Sequence, residues 1–185
     1  MKLYTNKELL ILAKKGGYAV GAFNINNLEI LQAIVSAGEL EKSPAIIAVS
    51  EGAIQYAGLP YIVSMVRIAA QMASIPLFLH LDHGKNLEII RSCIENGFTS
   101  VMIDGSHLQF DENIAITKKV VEMAKKKAVS VEAELGRLKG IEEKVSVSDQ
   151  EAFLTDPQAA EEFVKKTGVD CFGCCHWNIA WRLQI

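Results

Sequence analysis

The amino-acid sequence predicts an α/β fold, an incomplete (β/α)8 barrel of the TIM type that holds about strands 1–5 and the approach to strand 6. Two observations lead to this expectation. Short apolar segments alternate five times with amphipathic helical segments along the 185 residues, and such alternation is typical of a parallel sheet. Polar residues also follow every predicted strand, and a barrel draws its site from the carboxyl ends of many strands.

The predicted strands are short and rich in Val, Ile and Phe. They cover residues 18–23, 45–49, 77–81, 100–103 and 129–131. Apolar residues at helical spacing between them predict crossover helices. These helices cover residues 28–40, 61–73, 87–96, 114–127 and 158–166. Thr5, followed three residues later by Glu8, fits a capping box for an initial helix that ends at Gly16-Gly17.

An open, doubly wound sheet also fits this alternation. Such a sheet concentrates its site at one switch point, usually with a Gly-rich phosphate turn after the first strand. The sequence has no G-x-G-x-x-G after residues 18–23, which weakens a dinucleotide-binding alternative. Its polar residues instead follow all five predicted strands, which favours the barrel. They are Asn24 and Asn26, Ser50 and Glu51, Asp82 and His83, Asp104 and Ser106, and Glu132 and Glu134.

Composition narrows the function classes. The formal net charge is −3 and charged residues of both signs are interspersed, so nothing indicates a nucleic-acid partner or a membrane surface. No apolar run approaches the roughly 18 residues of a spanning helix. The four cysteines are unevenly distributed, unlike a secreted disulfide framework. We therefore expect a cytoplasmic protein that acts on a small polar or anionic substrate.

The most informative residues are Asp82 and His83, which close an apolar run that begins at Ile75. An imidazole can bind a divalent metal while a neighbouring carboxylate moves a proton, and both tasks favour residues fixed at the end of a rigid strand. A hydrogen-bonded structural turn is the alternative interpretation of an isolated Asp-His pair.

Five segments, in this order and spacing, resemble the metal-dependent (class II) fructose-bisphosphate and tagatose-bisphosphate aldolases. They are GAFNINNLE (21–29), PAIIAVSEGA (44–53), LDHG (81–84), VMIDGS (101–106) and VEAELG (131–136). The resemblance extends from Met1 to about Cys171. It implies a full-length homo-oligomeric barrel that joins dihydroxyacetone phosphate reversibly to glyceraldehyde 3-phosphate with a catalytic Zn²⁺. The substrates are then sugar phosphates, fructose 1,6-bisphosphate or its tagatose epimer.

The resemblance also implies roles for four residues at the substrate. Asp82 resembles the acid/base beside the aldehyde-derived hydroxyl. Glu142 resembles a loop carboxylate that exchanges the carbon-bound proton, although a carboxylate in a polar loop is usually just solvated. Asn24 and Ser50 resemble groups that contact substrate, and a turn-forming role is the alternative for Asn24.

The metal ligands implied by the resemblance are His83, Asp104 and Glu134. His83 resembles a zinc ligand, whereas Asp104 and Glu134 resemble carboxylates near a second cation position, divalent or monovalent. Asp104 also fits a structural cap of the following loop. Glu132 and Glu134 share one side of a strand by its two-residue period, and we assign the metal role to Glu134.

The resemblance breaks after Asp170, where the family continues through an apolar strand to Gly-Thr-Ser-His-Gly, whose His is a second zinc ligand. One permitted coding string for residues 172–185, with a single T deleted from the Phe172 codon, reads Leu-Ala-Val-Ala-Ile-Gly-Thr-Ser-His-Gly-Ala-Tyr-Lys. The two Trp codons are not free, and each then yields a glycine of the motif. We therefore expect a partial barrel domain over residues 1–170 and an out-of-frame tail over residues 171–185, with Ala180 at the ligand position and no activity in the chain itself.

Three alternatives follow from the residues. One alternative is a zinc site, since the ligand types of such a site are present in Cys171, Cys174, Cys175 and His176. If the tail is out of frame, this set of residues is a coincidence. A metal-dependent hydrolase on the same fold predicts a metal histidine near the first strand, and residues 1–79 contain none. A truncated, non-catalytic binder of sugar phosphates predicts affinity for dihydroxyacetone phosphate without turnover.

Overall fold

The computed structural model describes residues 3–136, 140–142, 145–147 and 155–174. Within them, six parallel strands form one sheet in the order β1-β2-β3-β4-β5-β8. The strands are β1 (Gly21–Asn24), β2 (Ala45–Ser50), β3 (Leu77–Gly84), β4 (Ser100–Ile103), β5 (Ser130–Leu135) and β8 (Cys171–Cys174). Because the order follows the chain and never reverses, the sheet has no switch point. The predicted incomplete α/β barrel is confirmed.

The helices of the described residues connect these strands. They are α1 (Asn6–Gly16), α2 (Leu28–Glu41), α3 (Glu51–Ala57), α4 (Leu59–Met72), α5 (Leu87–Asn96), α6 (Phe110–Lys125) and α7 (Pro157–Thr167). None of them is long and apolar enough to span a membrane.

Local sequence accounts for the helix ends. The predicted capping box of α1 is present, since the Thr5 hydroxyl accepts from the Glu8 amide and the Glu8 carboxylate accepts from the Thr5 amide. Gly17 ends α1 at a φ of 69°, the left-handed conformation that glycine adopts readily. Asp156 caps α7 by accepting from the Ala159 amide over 2.8 Å.

Several boundaries differ from the predicted ones. β1 starts at Gly21 rather than at residue 18 because the Tyr18 amide still donates to the Ala13 carbonyl at the end of α1. β5 extends to Leu135 although its apolar run stops at residue 131. α3 was not predicted; it is short, and the Ser50 side chain caps it by accepting from the Ala53 amide.

The core lies mainly between the sheet and the helices. Leu79, Leu81 and Val131 point to this side and are at most 1% exposed. Phe163 of α7 is also buried, and its ring lies 6.1 Å from that of Phe110 and 5.8 Å from that of Phe172 in β8. The outer face of the sheet thus supplies packing and leaves the carboxyl ends of the strands for polar side chains.

The residues after β5 include a second, separate sheet. β6 (Gly140–Glu142) pairs antiparallel with β7 (Val145–Val147), so Glu142 lies in a short ribbon and its side chain is outside the described residues. Cys171–Cys174, predicted only as the approach to strand 6, pairs with β5 as the sixth strand. Residues 175–185, with Cys175, His176 and Ala180, also lie outside the described part.

Candidate active site

β3 ends in an irregular turn that makes two consecutive side chains available to one site. Leu81 pairs with Val101 and Gly84 with Ile103, so Asp82 and His83 together oppose a single residue of β4. This is the arrangement of a β-bulge. His83 has a φ of 47°, which is uncommon for a residue with a side chain. Successive side chains of a regular strand point to opposite faces, and the bulge removes that alternation here.

His83 joins two carboxylates from the neighbouring strands. Its Nδ1 lies 3.2 Å from Asp104 Oδ2 and 3.7 Å from Glu134 Oε2. One candidate ligand atom from each of these three residues lies within 4.8 Å of the others. The cluster therefore gathers side chains from the carboxyl ends of β3, β4 and β5, as the sequence predicted for a barrel site.

The cluster is strongly polarised. The hydrogen bond to Asp104, helped by the charges of Asp82 and Glu134 and opposed by burial, raises the pKa of His83 to about 9. Burial alone would raise the pKa of Asp104, but its hydrogen bonds with His83 and Ser106 and the charge of Lys85 hold that pKa well below its usual range. At neutral pH the carboxylate of Asp104 is thus ionised and the His83 imidazole carries a proton that compensates it.

Asp104 has a structural role as well. Its Oδ1 accepts from the Ser106 amide over 3.1 Å and from the Ser106 hydroxyl over 2.7 Å, while its Oδ2 contacts His83. The predicted loop cap is thus present at Oδ1, and the other oxygen, Oδ2, faces His83, so the cap leaves room for a site role that stays a prediction.

Asp82 is directed towards β1, on the flank of β3 away from β4. There Asn24 Nδ2 donates to Asp82 Oδ2 over 2.8 Å. The structure thus brings together two residues predicted for the site, and Asn24 orients the carboxylate. Ser50, which pairs with Asp82 in the register of β2 and β3, lines an open pocket of about 400 Å³ whose lining includes neither Asn24 nor Asp82. Asn26 and Asn27 line it too.

A second polar layer lies below the cluster, deeper along the strands. His80 is 5% exposed; its Nδ1 lies 2.9 Å from Ser100 Oγ and its Nε2 3.8 Å from Glu132 Oε2. Burial lowers the pKa of His80 to about 4, and burial, with the charge of Asp82, raises the pKa of Glu132 to about 7. Glu132 therefore contacts the buried histidine, whereas Glu134 is the acid that reaches His83.

Three residues that support the cluster had no role assigned from the sequence, although Glu51 is among the polar residues that follow the predicted strands. Lys85 Nζ lies 3.5 Å from Asp104 Oδ2. The fully buried Asn113 of α6 donates to the Glu134 carbonyl over 2.9 Å and accepts from Thr117. Glu51 accepts from the loop after β3. A signal existed for Asn113, since it shares the apolar face of α6 that also buries Ile114 and Val120.

Known proteins with similar sequences are aldolases. The family model described as fructose-bisphosphate aldolase class-II matches residues 4–178. The fructose-bisphosphate aldolase of Helicobacter pylori strain J99 is 52% identical over 169 residues, which are 91% of this chain and 55% of that protein. The one of Geobacillus stearothermophilus is 49% identical over 174 residues, or 92% of this chain and 60% of that protein.

Among solved structures, the YdjI aldolase of Escherichia coli K12 superposes with a TM-score of 0.82 at 33% identity, over 94% of this chain and 62% of that one. The chain therefore spans between half and two thirds of the length of each of these relatives.

We expect Asn113→Ala to destabilise the fold by about 1–3 kcal/mol, because it removes two hydrogen bonds of a fully buried side chain. Urea denaturation measures the change. The control is Asn96→Ala, since the exposed Asn96 side chain donates only within its own helix, to the Ser92 carbonyl; we expect less than about 0.5 kcal/mol there. Equal losses in the two variants would contradict the buttressing role of Asn113.

Proposed function

The chain belongs to the class II fructose-bisphosphate aldolase family, and from this premise we propose that it carries residues of a metal-dependent ketose-bisphosphate aldolase site. The reaction is the reversible cleavage of fructose 1,6-bisphosphate, or of its tagatose epimer, to dihydroxyacetone phosphate and glyceraldehyde 3-phosphate. The observation that carries the proposal is the convergence of His83, Asp104 and Glu134 beside Asp82.

The donor set fits a divalent metal. One imidazole nitrogen and two carboxylates are ligand types that Zn²⁺ takes in proteins, and the acidic charge around His83 favours a cation. We propose that His83, Asp104 and Glu134 hold such ions, with Zn²⁺ as the catalytic metal and a second divalent or monovalent cation near the two carboxylates. A bound metal supplies Lewis-acid polarisation of the substrate carbonyl.

Asp82 is our proposed acid/base for the hydroxyl of the aldehyde-derived half. Among the described residues, Asn24 Nδ2 donates to Asp82 Oδ2, and Oδ1 is the oxygen that we propose for proton exchange with the substrate. That bond also fixes the direction of the carboxylate, which proton transfer requires. Glu142 remains our proposed carboxylate for the carbon-bound proton, on the strength of its motif.

Substrate binding is proposed for Asn24 and Ser50. Ser50 lines the open pocket together with Asn26 and Asn27, and their amide and hydroxyl groups suit the oxygens of a sugar phosphate. The Ser50 oxygen already accepts from the Ala53 amide, so its hydroxyl proton is the group that it offers to a ligand.

We propose that the whole protein is a cytoplasmic homo-oligomer that acts on sugar phosphates. Exposed apolar side chains on one face of α4 support a second copy as partner, since Tyr61, Ile68 and Met72 are 74%, 57% and 83% exposed. Contiguous exposed apolar side chains are typical of protein interfaces.

The reading frame after Asp170 is a further proposal. In the alternative frame residues 172–174 become Leu-Ala-Val, and there is space for the alanine of this segment: a Cβ at Gly173 would meet its nearest atoms, the Ala133 carbonyl and the Glu134 side chain, at 3.7 Å, which is ordinary contact. Resequencing the gene across the codons for residues 170–177 tests the frame. We expect one base fewer in the Phe172 codon and an open frame beyond it; an unchanged sequence would contradict the proposal.

We expect Asp82→Asn to lower aldol cleavage at least about a hundredfold, because it removes proton transfer while keeping the shape of the side chain. The assay uses a chimera in which residues 1–170 are followed by the matching segment of the Geobacillus stearothermophilus aldolase, with fructose 1,6-bisphosphate as substrate. Asp111→Asn, on an exposed turn of α6, is the control and should leave cleavage unchanged. Near-normal turnover of the Asp82 variant would refute its role.

We expect His83→Ala to weaken Zn²⁺ binding by at least about tenfold, because it removes one donor of the cluster. Equilibrium dialysis of the 185-residue chain measures the affinity without any activity assay. His107→Ala is the matched control, since His107 is an exposed loop residue outside the cluster. Equal affinities of the two variants would show that His83 binds no zinc.

A further inference from the structure

The conformation of His83 needs support from its surroundings. Its φ of 47° puts a residue with a side chain in the left-handed region, where backbone strain persists only if neighbouring contacts fix it. On one side, Gly84 is fixed by β4, because its carbonyl accepts from the Asp104 amide over 2.9 Å. The backbone that follows Gly84 has to be held as well.

That backbone is held by the Glu51 side chain. Two consecutive amides, those of Lys85 and Asn86, donate to the same oxygen, Glu51 Oε1, over 2.7 and 2.8 Å. Bonds from amides to an ionised carboxylate are among the stronger hydrogen bonds in proteins. Glu51 directly follows Ser50, the residue that pairs with Asp82, so it connects the end of β2 with the turn that ends β3.

The turn cannot relax towards the core. A Cβ on Gly84 would lie 2.7 Å from the Met102 carbonyl and 2.9 Å from the Leu81 side chain, so the backbone already touches β4. With β4 on one flank of the turn and Glu51, from the end of β2, on the other, the turn is clamped, and the direction of the His83 ring is set between them.

We propose that Glu51 is a positioning residue for His83: by accepting from the Lys85 and Asn86 amides, it holds the strained turn in the form that directs the imidazole at Asp104 and Glu134. The consequence for metal affinity rests on the proposed metal site, whereas the consequence for the turn does not. Groups that orient metal ligands typically change metal affinity by about 10- to 100-fold when they are removed.

A simpler role for Glu51 is also conceivable from its place in the fold, since an acidic residue at the start of a helix such as α3 interacts favourably with the helix dipole. The two roles make different demands on the side chain. A dipole contribution needs charge, and Glu51→Asp keeps it. The clamp needs an acceptor oxygen at the end of a side chain of the right length. Glu51→Gln keeps both the oxygen and the length, whereas Glu51→Asp keeps the oxygen but is one methylene too short.

The experiment compares Glu51→Ala, Glu51→Gln and Glu51→Asp in the 185-residue chain. Amide hydrogen exchange by NMR on the metal-free protein reports the turn, the ring resonances of His83 report its contact with Asp104, and equilibrium dialysis reports Zn²⁺ affinity. Glu29→Ala is the matched control, because Glu29 lies in the first turn of α2 as Glu51 does in α3.

We expect Glu51→Ala and Glu51→Asp to speed exchange at Lys85 and Asn86 by about tenfold or more, to shift the His83 resonances and to weaken Zn²⁺ binding about tenfold. Glu51→Gln should stay within about threefold of the unmodified chain in exchange rate and in Zn²⁺ affinity. Glu29→Ala should match the unmodified chain. Unchanged exchange, or unchanged His83 resonances, in a folded Glu51→Ala or Glu51→Asp chain would overturn the proposal.

The proposal would also be overturned if Glu51→Gln changed exchange and Zn²⁺ affinity as much as Glu51→Asp does. That result would mean that Glu51 acts through its charge. If the unmodified chain bound no Zn²⁺, the proposed metal site would fail, while exchange and the His83 resonances of the metal-free variants would still decide the role of Glu51. If Glu51→Ala did not fold, the comparison of Glu51→Gln with Glu51→Asp would decide it.

Discussion

At the carboxyl end of β3, two residues oppose one residue of β4, and the polar site is organised around that mismatch. A regular strand would place Asp82 and His83 on opposite faces of the sheet. With the bulge and the left-handed backbone at His83, Asp82 reaches Asn24 while His83 reaches Asp104 and Glu134. Strain of about 1–3 kcal/mol is typical of such a residue, and the rest of the fold has to offset it.

The charges of the site impose a second constraint. Asp82 and Glu134 surround His83 together with Asp104, which is 4% exposed, and Glu132 lies against His80 in the layer below. Partly buried carboxylates repel one another unless cations or donors compensate them. His83 and Lys85 supply positive charge, and Ser106 supplies two hydrogen bonds to Asp104. In the part of the chain that the structure describes, the acidic groups around His83 outnumber the positive ones, which is a physical reason for expecting a cation at these strand ends.

Much of the fold could be predicted from local pattern, because alternating strands and helices each carry their own periodicity. β5 shows where that reasoning stops: Glu132 and Glu134 interrupt its apolar run, so the prediction ended the strand at residue 131, although both acids belong to it. In a barrel the inner face near the site is polar, and there polarity is no sign of a strand end. The convergence of Asp82, His83 and Asp104 followed from their positions after strands. Glu51 and Asn113 also carry local signals, but their partners are backbone groups 34 and 21 residues away, and no local pattern indicates such contacts.

The described site needs few elements. His83, Asp104 and Glu134 lie at the ends of three neighbouring strands, β3, β4 and β5. Their supports come from the connections between these strands: Glu51 from α3, between β2 and β3, and Asn113 from α6, between β4 and β5. The bond between Asn24 and Asp82 adds β1 across β2. Among the residues that the structure describes, the contacts that direct His83 and Asp104 come from this continuous arc, so the geometry of the cluster depends on the turn after β3 and on the packing of α6 against β5.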